Sequence, residues 1–249
     1  MVDGNLGGLH HQKMLIDTGA VPSAISMRVA KRLGLLGSVQ ELSLMNRSIA
    51  VERVSVPEVR LGVVAVEALD MVAMDLGRIE QALGTRIDAV VGLDVLGMQN
   101  FSLDYRRKKL VFGTTTDAAR AIAFQTKHEA GGTYILIPIE SGGEKLQMLL
   151  DTGTKDLMLF QRRLTGSLKQ LRIHRQDFNL NPGGKDGLAE VELESVTVGP
   201  LSRERKRAYV WTTPERNLRN FDGLLGPTAL GATAVAFDFD LHLVSFETR

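Results

Sequence analysis

No cysteine occurs among the 249 residues, which excludes disulfides, thiolate metal sites and a cysteine nucleophile while leaving the redox compartment open. Aromatic residues are scarce at 5%, and the formal net charge is only +1, so bulk composition supplies no pull toward nucleic acid or an anionic membrane. No apolar run approaches the roughly 20 residues that span a bilayer. The opening "MVDGNLGG" lacks the charged and apolar regions of a secretory signal, so a soluble chain is expected. His10, His11, His128, His174 and His242 are scattered without metal-ligand spacing and read as surface or loop residues, so no metal is expected. Glycine pairs such as Gly183-Gly184 match neither a phosphate loop nor a dinucleotide fingerprint, and no cofactor is expected. The remainder is ordinary globular composition, 44% hydrophobic and 24% charged, enough for one large domain or two small ones.

What the chain does contain is a repeat. "KMLIDTGAVPS" begins at Lys13 and "QMLLDTGTKDL" at Gln147, and a shift of 134 maps Asp17, Thr18 and Gly19 onto Asp151, Thr152 and Gly153. The same shift maps Asp88 onto Asp222, Gly92 onto Gly226, Gly97 onto Gly231, Asp104 onto Asp238 and Phe112 onto Phe246. A chosen tripeptide of this composition arises by chance roughly once in several thousand positions, so two in register mark a duplicated unit. The expected copies are residues 1–112 and 132–249, joined by a polar linker at 113–131.

Each copy reads as mostly strands. "VDG", Gly7-Gly8 and "KMLID" suggest a hairpin, as do "TYILIPIE", Ser141-Gly142-Gly143 and "KLQMLLD". "EVRLGVVAVEALDMVAMDL" and "LAEVELESVTVG" are β-rich, and "FSLDYRRKKLVF" and "VAFDFDLHLVSFE" read as strand, turn and strand. Ser23 is placed to cap a helix carrying Ile25, Val29 and Leu33 on one face and ending at Gly34, with Leu157, Phe160, Leu164 and Gly166 expected to do likewise. "RRKK" at 106–109 reads as a solvated turn and "RERKR" at 203–207 as an exposed loop or edge; with few aromatics nearby, nucleic acid is not an expected partner. Asp88 and Asp222 are expected to bond local turn backbone, and Asp104 and Asp238 suit strand-turn positions. The first strand is short against its counterpart, which suggests trimming of a signal or propeptide and a periplasmic or secreted protein, with the cytoplasm as the alternative.

With these residues in place the chain resembles an aspartic protease of the pepsin and retropepsin clan, both lobes in one polypeptide, closest in pattern to the bacterial retropepsin-like branch. The resemblance rests on the two Asp-Thr-Gly loops and on Val90-Val91-Gly92 and Leu224-Leu225-Gly226, and covers nearly the whole chain. It implies a mainly β fold of two pseudo-twofold-related acid-protease-like β-barrel lobes with short helices. It also implies an extended peptide or protein substrate between the lobes, and flaps near Leu44 to Val54 and Asn179 to Gly187. Neither candidate flap carries the Tyr of pepsin's flap, which favours the retropepsin-like branch.

The chemistry follows independently of the name. Two carboxyls held a few ångströms apart cannot both ionise cheaply, so the pair keeps one proton and presents a base beside an acid. Asp17 and Asp151 are the expected catalytic pair, and which of them carries the proton is left open by the sequence. Thr18, Gly19 and Ala20, with Thr152, Gly153 and Thr154, are the expected loop supports. Both acids lie in one chain, so a monomer is expected to suffice. Two other readings stand beside this one: a silent peptide-binding module on the same scaffold, and a structural domain whose acidic loops only hold the lobes together.

Overall fold

A computed structural model of the chain describes residues 1–44, 48–114, 116–129, 132–181, 184–213 and 220–248. The fold is mainly β. In the first half, β1 (Val2–Leu6) turns at Gly7-Gly8 into β2 (Leu9–Ile16), followed by β3 (Ala24–Ser26), α1 (Met27–Arg32), β4 (Ser38–Ser43), β5 (Ser48–Leu61), β6 (Val64–Met74), α2 (Gly77–Leu83), β7 (Ala89–Val91) and α3 (Leu93–Leu96). Sheet order is β1-β2-β7-β3-β6-β5-β4, and a further β1–β5 pairing closes six of the strands into a barrel. Both turn glycines have positive φ, 51° for Gly7 and 86° for Gly8, a backbone that residues with a Cβ rarely adopt.

Two hairpin strands, β8 (Phe101–Asp104) and β9 (Lys109–Phe112), leave the first barrel. Within 113–131 the chain forms β10 (Ala121–Ala123) and β11 (Gln125–Glu129). The second half supplies β12 (Gly132–Ser141), β13 (Glu144–Leu150), β14 (Leu157–Phe160), β15 (Ile173–Asn181), β16 (Gly184–Val198), β17 (Leu201–Trp211), β18 (Gly223–Leu225), β19 (Ala232–Asp238) and β20 (Leu243–Thr248). Its sheet runs β11-β12-β13-β18-β14-β17-β16-β15, and a β12–β16 pairing closes a second six-stranded ring. Strand for strand, this is the order of the first barrel. The remaining strands form a sheet β10-β20-β19-β8-β9, in which β8 and β19 pair antiparallel, so each half contributes one hairpin.

Alternation along the strands sets the core. In β2, Met14 and Ile16 point into the barrel and are buried, while His11 and Lys13 are exposed. Every aromatic residue lies at or beyond Phe101, so the first barrel is packed with aliphatic side chains such as Val54, Val56, Val59, Leu61 and Met71. Between the barrels Phe101 stacks on Phe237 with centroids 4.6 Å apart, both rings fully buried. Burying a side chain of this size is worth about 1.5–3 kcal/mol, so this pair alone is a substantial tie between the halves. Among the described residues no helix is long and apolar enough to cross a membrane.

Local expectations need four corrections. Ser23 does not cap the first helix; Ala24–Ser26 pairs as a strand with β6 and β7, and Ser26 accepts from the Val29 amide at 3.2 Å as the N-cap. The predicted second helix is absent: Leu157–Phe160 is a strand between β17 and β18, followed by 3₁₀ turns at Gln161–Arg163 and Gly166–Gln170. Gly166, expected to stop a helix, instead opens the later turn, because the preceding apolar run is held by strand partners on both sides. Asp88 and Asp222 bond strand backbone rather than a local turn: their carboxylates accept from the Lys13 amide at 2.9 Å and the Gln147 amide at 2.8 Å. Four of the five histidines sit in strands, and all five are exposed. The 106–109 run is a turn through Lys108, with Lys109 already opening β9, and 203–207 forms the part of β17 that pairs with β16 beyond the reach of β14.

Candidate active site

The parallel pairing of β2 with β7 brings Ile16 beside Val91, and the Asp17 amide then donates to the Val91 carbonyl at 3.0 Å. The second barrel repeats this with β13 and β18, and the Asp151 amide donates to the Leu225 carbonyl at 3.0 Å. Each strand ends where its Asp turns back on itself. Asp17 Oδ1 accepts from the Gly19 amide at 2.8 Å, and Asp151 Oδ1 accepts from Gly153 at 2.7 Å and Thr154 at 3.2 Å. The Ala20 amide closes the first loop on the Asp17 carbonyl at 3.1 Å.

The two loops are locked to one another. Thr18 Oγ1 donates to the Leu150 carbonyl at 2.6 Å and accepts from the Thr152 amide at 3.1 Å. Thr152 Oγ1 donates to the Ile16 carbonyl at 3.1 Å and accepts from the Thr18 amide at 3.0 Å. The glycines then let each loop pass against the opposite carboxyl: a Cβ on Gly19 would sit 2.7 Å from Asp151 Cγ, and one on Gly153 would sit 2.5 Å from Asp17 Cγ. Gly92 and Gly226 back the loops from below, where a Cβ would collide with the carbonyls of Ala20 and Thr154.

Asp17 and Asp151 hydrogen-bond each other, and both keep partial access to solvent. Burial raises Asp17 above the ordinary carboxylate range, opposed by hydrogen bonds from Asp151 and the loop amides. Burial and then the charge on Asp17 push Asp151 well above it. The pair therefore holds a proton at pH values where isolated aspartates have lost theirs. Tyr105 lies close enough for the Asp151 charge, after burial, to raise its phenol as well.

Sequence reasoning missed a supporting pair on the first side. Ser23 Oγ accepts from the Gly92 amide at 2.8 Å and donates to Asp94, whose other carboxylate oxygen accepts from the Ser23 amide at 2.9 Å. The counterparts 134 residues later are Leu157 and Thr228, so this polar link exists on one side alone. The signal was a carboxylate two residues past Val-Val-Gly, in an otherwise apolar stretch.

The surfaces flanking the dyad differ in kind. Beside Asp17, Leu15 and Ala20 join Ala24, Val72, Val90 and Ile87 in an aliphatic cluster, over which Leu42, Ile49 and Val51 of the β4–β5 hairpin pack. Beside Asp151, Leu149 and Leu224 join Tyr134, Phe160, Trp211 and Phe221. Val21 of the first loop rests on this aromatic cluster, and α2 lies next to β15. The expected flap segments fall on the β4–β5 and β15–β16 hairpins, whose tips at 45–47 and 182–183 lie outside the described residues. Among the described residues no group of three or more His, Cys, Asp or Glu could hold a metal ion.

Two closed barrels, each delivering an Asp-Thr-Gly loop to one point, define an acid-protease architecture. Residues 2–95, the N-terminal barrel with the first Asp-Thr-Gly loop, match the family model described as aspartyl protease, so this part of the chain is similar to that family. No curated protein matches the chain.

Proposed function

We propose that the chain is an endopeptidase in which Asp17 and Asp151 activate a single water. The observation that carries this reading is the mutual hydrogen bond of two partly accessible carboxyls whose proton affinity is raised. In the one-proton state the charged carboxylate takes a proton from water as its oxygen attacks the scissile carbonyl carbon. The neutral carboxyl gives its proton to the carbonyl oxygen. Collapse of the tetrahedral carbon breaks the C–N bond, with proton return to the leaving nitrogen.

Thr18, Gly19 and Ala20, with Thr152, Gly153 and Thr154, act as positioning residues in this scheme. The substrate is an extended peptide lying between the two apolar clusters and under the β4–β5 and β15–β16 hairpins, its backbone bonded to strand edges. Residues 1–112 and 132–249 serve as two copies of one unit, with 113–131 between them, so a single chain supplies both acids.

Asp17→Asn and Asp151→Asn, tested separately on a peptide library, are each expected to lower kcat/KM by about 10³-fold or more, with the unfolding transition retained. Cleavage that survives in either variant would sink the dyad. A parent protein that binds library peptides and never cleaves them would favour the binding-module reading instead.

A further inference from the structure

Leu15 and Leu149 stand two residues before Asp17 and Asp151, so strand alternation turns them to the same side of β2 and β13 as the dyad. From each of them a row of paired residues runs across its sheet. In the first barrel Leu15 pairs with Val90, Val90 with Ala24 and Ala24 with Val72. In the second, Leu149 pairs with Leu224, Leu224 with Met158 and Met158 with Tyr209. All of them belong to, or pack against, the two apolar clusters that flank the dyad.

Position by position, the second row is the bulkier. Val90 is answered by Leu224, Ala24 by Met158 and Val72 by Tyr209. The trend continues beyond the row: Ser26 pairs with Met74 where Phe160 pairs with Trp211, and Ile87 before Asp88 is matched by Phe221 before Asp222. Met158, Phe160, Trp211, Phe221 and Leu224 are each at most 7% exposed, so the added volume is packed rather than open.

We infer that this asymmetry selects the two side chains flanking the scissile bond unequally: the one set against the Asp151 wall must be small, such as Ala, Gly or Ser, whereas the one set against the Asp17 wall is a larger apolar residue. The inference rests on the reading of Asp17 and Asp151 as a peptide-cleaving pair. Successive side chains of an extended peptide point to opposite sides, and the bond to be cleaved lies at the dyad, so its two neighbours meet different walls. Both rows hang from the same strand register and end at equivalent hydrogen bonds, Asp17 to Val91 and Asp151 to Leu225. Longer side chains on an equivalent backbone reach further toward the substrate, so Met158 and Leu224 take up space that Ala24 and Val90 do not. What covers the first row is the β4–β5 hairpin through Leu42 and Ile49, which an entering peptide displaces; the second row is filled from strands paired on both sides, which cannot lift. Ala24 and Met158 are thereby the central specificity-determining pair.

A peptide library varied at the two residues flanking the scissile bond tests this on the full chain. At one of the two positions Phe and Leu are expected to give a kcat/KM about tenfold or more below that of Ala, and at the other position they are not. Met158→Ala, which gives the second wall the residue of the first, is expected to reduce that penalty by about tenfold or more and leave the other position unchanged, the scale on which a hydrophobic pocket discriminates about one methylene. Leu224→Val, a milder truncation, is expected to shift the same position in the same direction, and Ala24→Met to impose a penalty at the opposite one. Equal tolerance of Phe at both positions in the parent, or variants that move both positions alike or neither, overturns the inference. Should the parent bind the library without cleaving it, the hydrolytic reading fails, and the same preference, taken from peptide affinities, still decides this one. A parent that neither binds nor cleaves overturns both.

Discussion

Thr18 and Thr152 each hold the other's backbone: each hydroxyl accepts the partner's amide proton, at 3.1 and 3.0 Å, and donates to a carbonyl of the strand entering the partner's loop. Thr18→Val keeps the shape but leaves the Leu150 carbonyl and the Thr152 amide without this partner. Each such buried group costs about 1–3 kcal/mol, so a loss of about 2–5 kcal/mol is expected in urea unfolding. Thr18→Ser should recover most of it.

Stability should fall as pH rises through the titration of the dyad. Both carboxyls are raised in the folded state, so the native protein holds protons that the unfolded chain has already released. The stabilisation is complete below the unfolded aspartate value of about 3.9 and is lost toward the folded values, by about 1.4 kcal/mol per pH unit for each retained proton. Asp151→Asn removes the cost of burying this charge and its repulsion with Asp17. The variant is predicted to be more stable than the parent near neutral pH, with the gap closing toward about pH 4; an unfolding series across pH reads this directly.

Gly153 backs onto Asp17 so closely that any Cβ must move the carboxyl, the built position being 2.5 Å from its carbon. Gly153→Ala is predicted to lower kcat by about 10²-fold, the scale expected when reacting groups shift by about 1 Å, with KM changed far less. An unchanged kcat would show that the carboxyl positions are not critical.

The only tryptophan, Trp211, is 4% exposed in the aromatic cluster beside Asp151, and its ring nitrogen is buried without a hydrogen-bond partner among the described residues. A peptide entering the proposed cleft should alter its emission in the Asp17→Asn protein. Phe160, centroid 6.3 Å away and nearly perpendicular, lies on the same wall. Truncating it to Ala is expected to cost about 3–5 kcal/mol, because the ring is fully buried. Emission that ignores peptides which are demonstrably bound would place the peptide elsewhere.

Much of the architecture was legible in one dimension. Alternating apolar residues bounded by glycine pairs marked the hairpins at Gly7-Gly8 and Gly142-Gly143, and an identical spacing marked the matched Asp-Thr-Gly loops. These signals are local, since a turn needing positive φ or a strand with one buried face is written in consecutive residues. Helix assignment failed where local signals competed with distant partners: Ala24–Ser26 and Leu157–Phe160 have strand neighbours far along the chain, and pairing with them overrode helical spacing.

By itself, then, the order of residues determined the hairpins, the matched loops and the supply of two carboxyls within one chain. Only the tertiary structure decided that those carboxyls meet, that Ser23 answers Asp94 and Gly92 instead of capping a helix, and that β10 from the linker joins the central sheet beside β20. The reason is physical: these contacts join groups about 70 to 134 residues apart, and their hydrogen bonds form only after barrel closure has brought distant strands together.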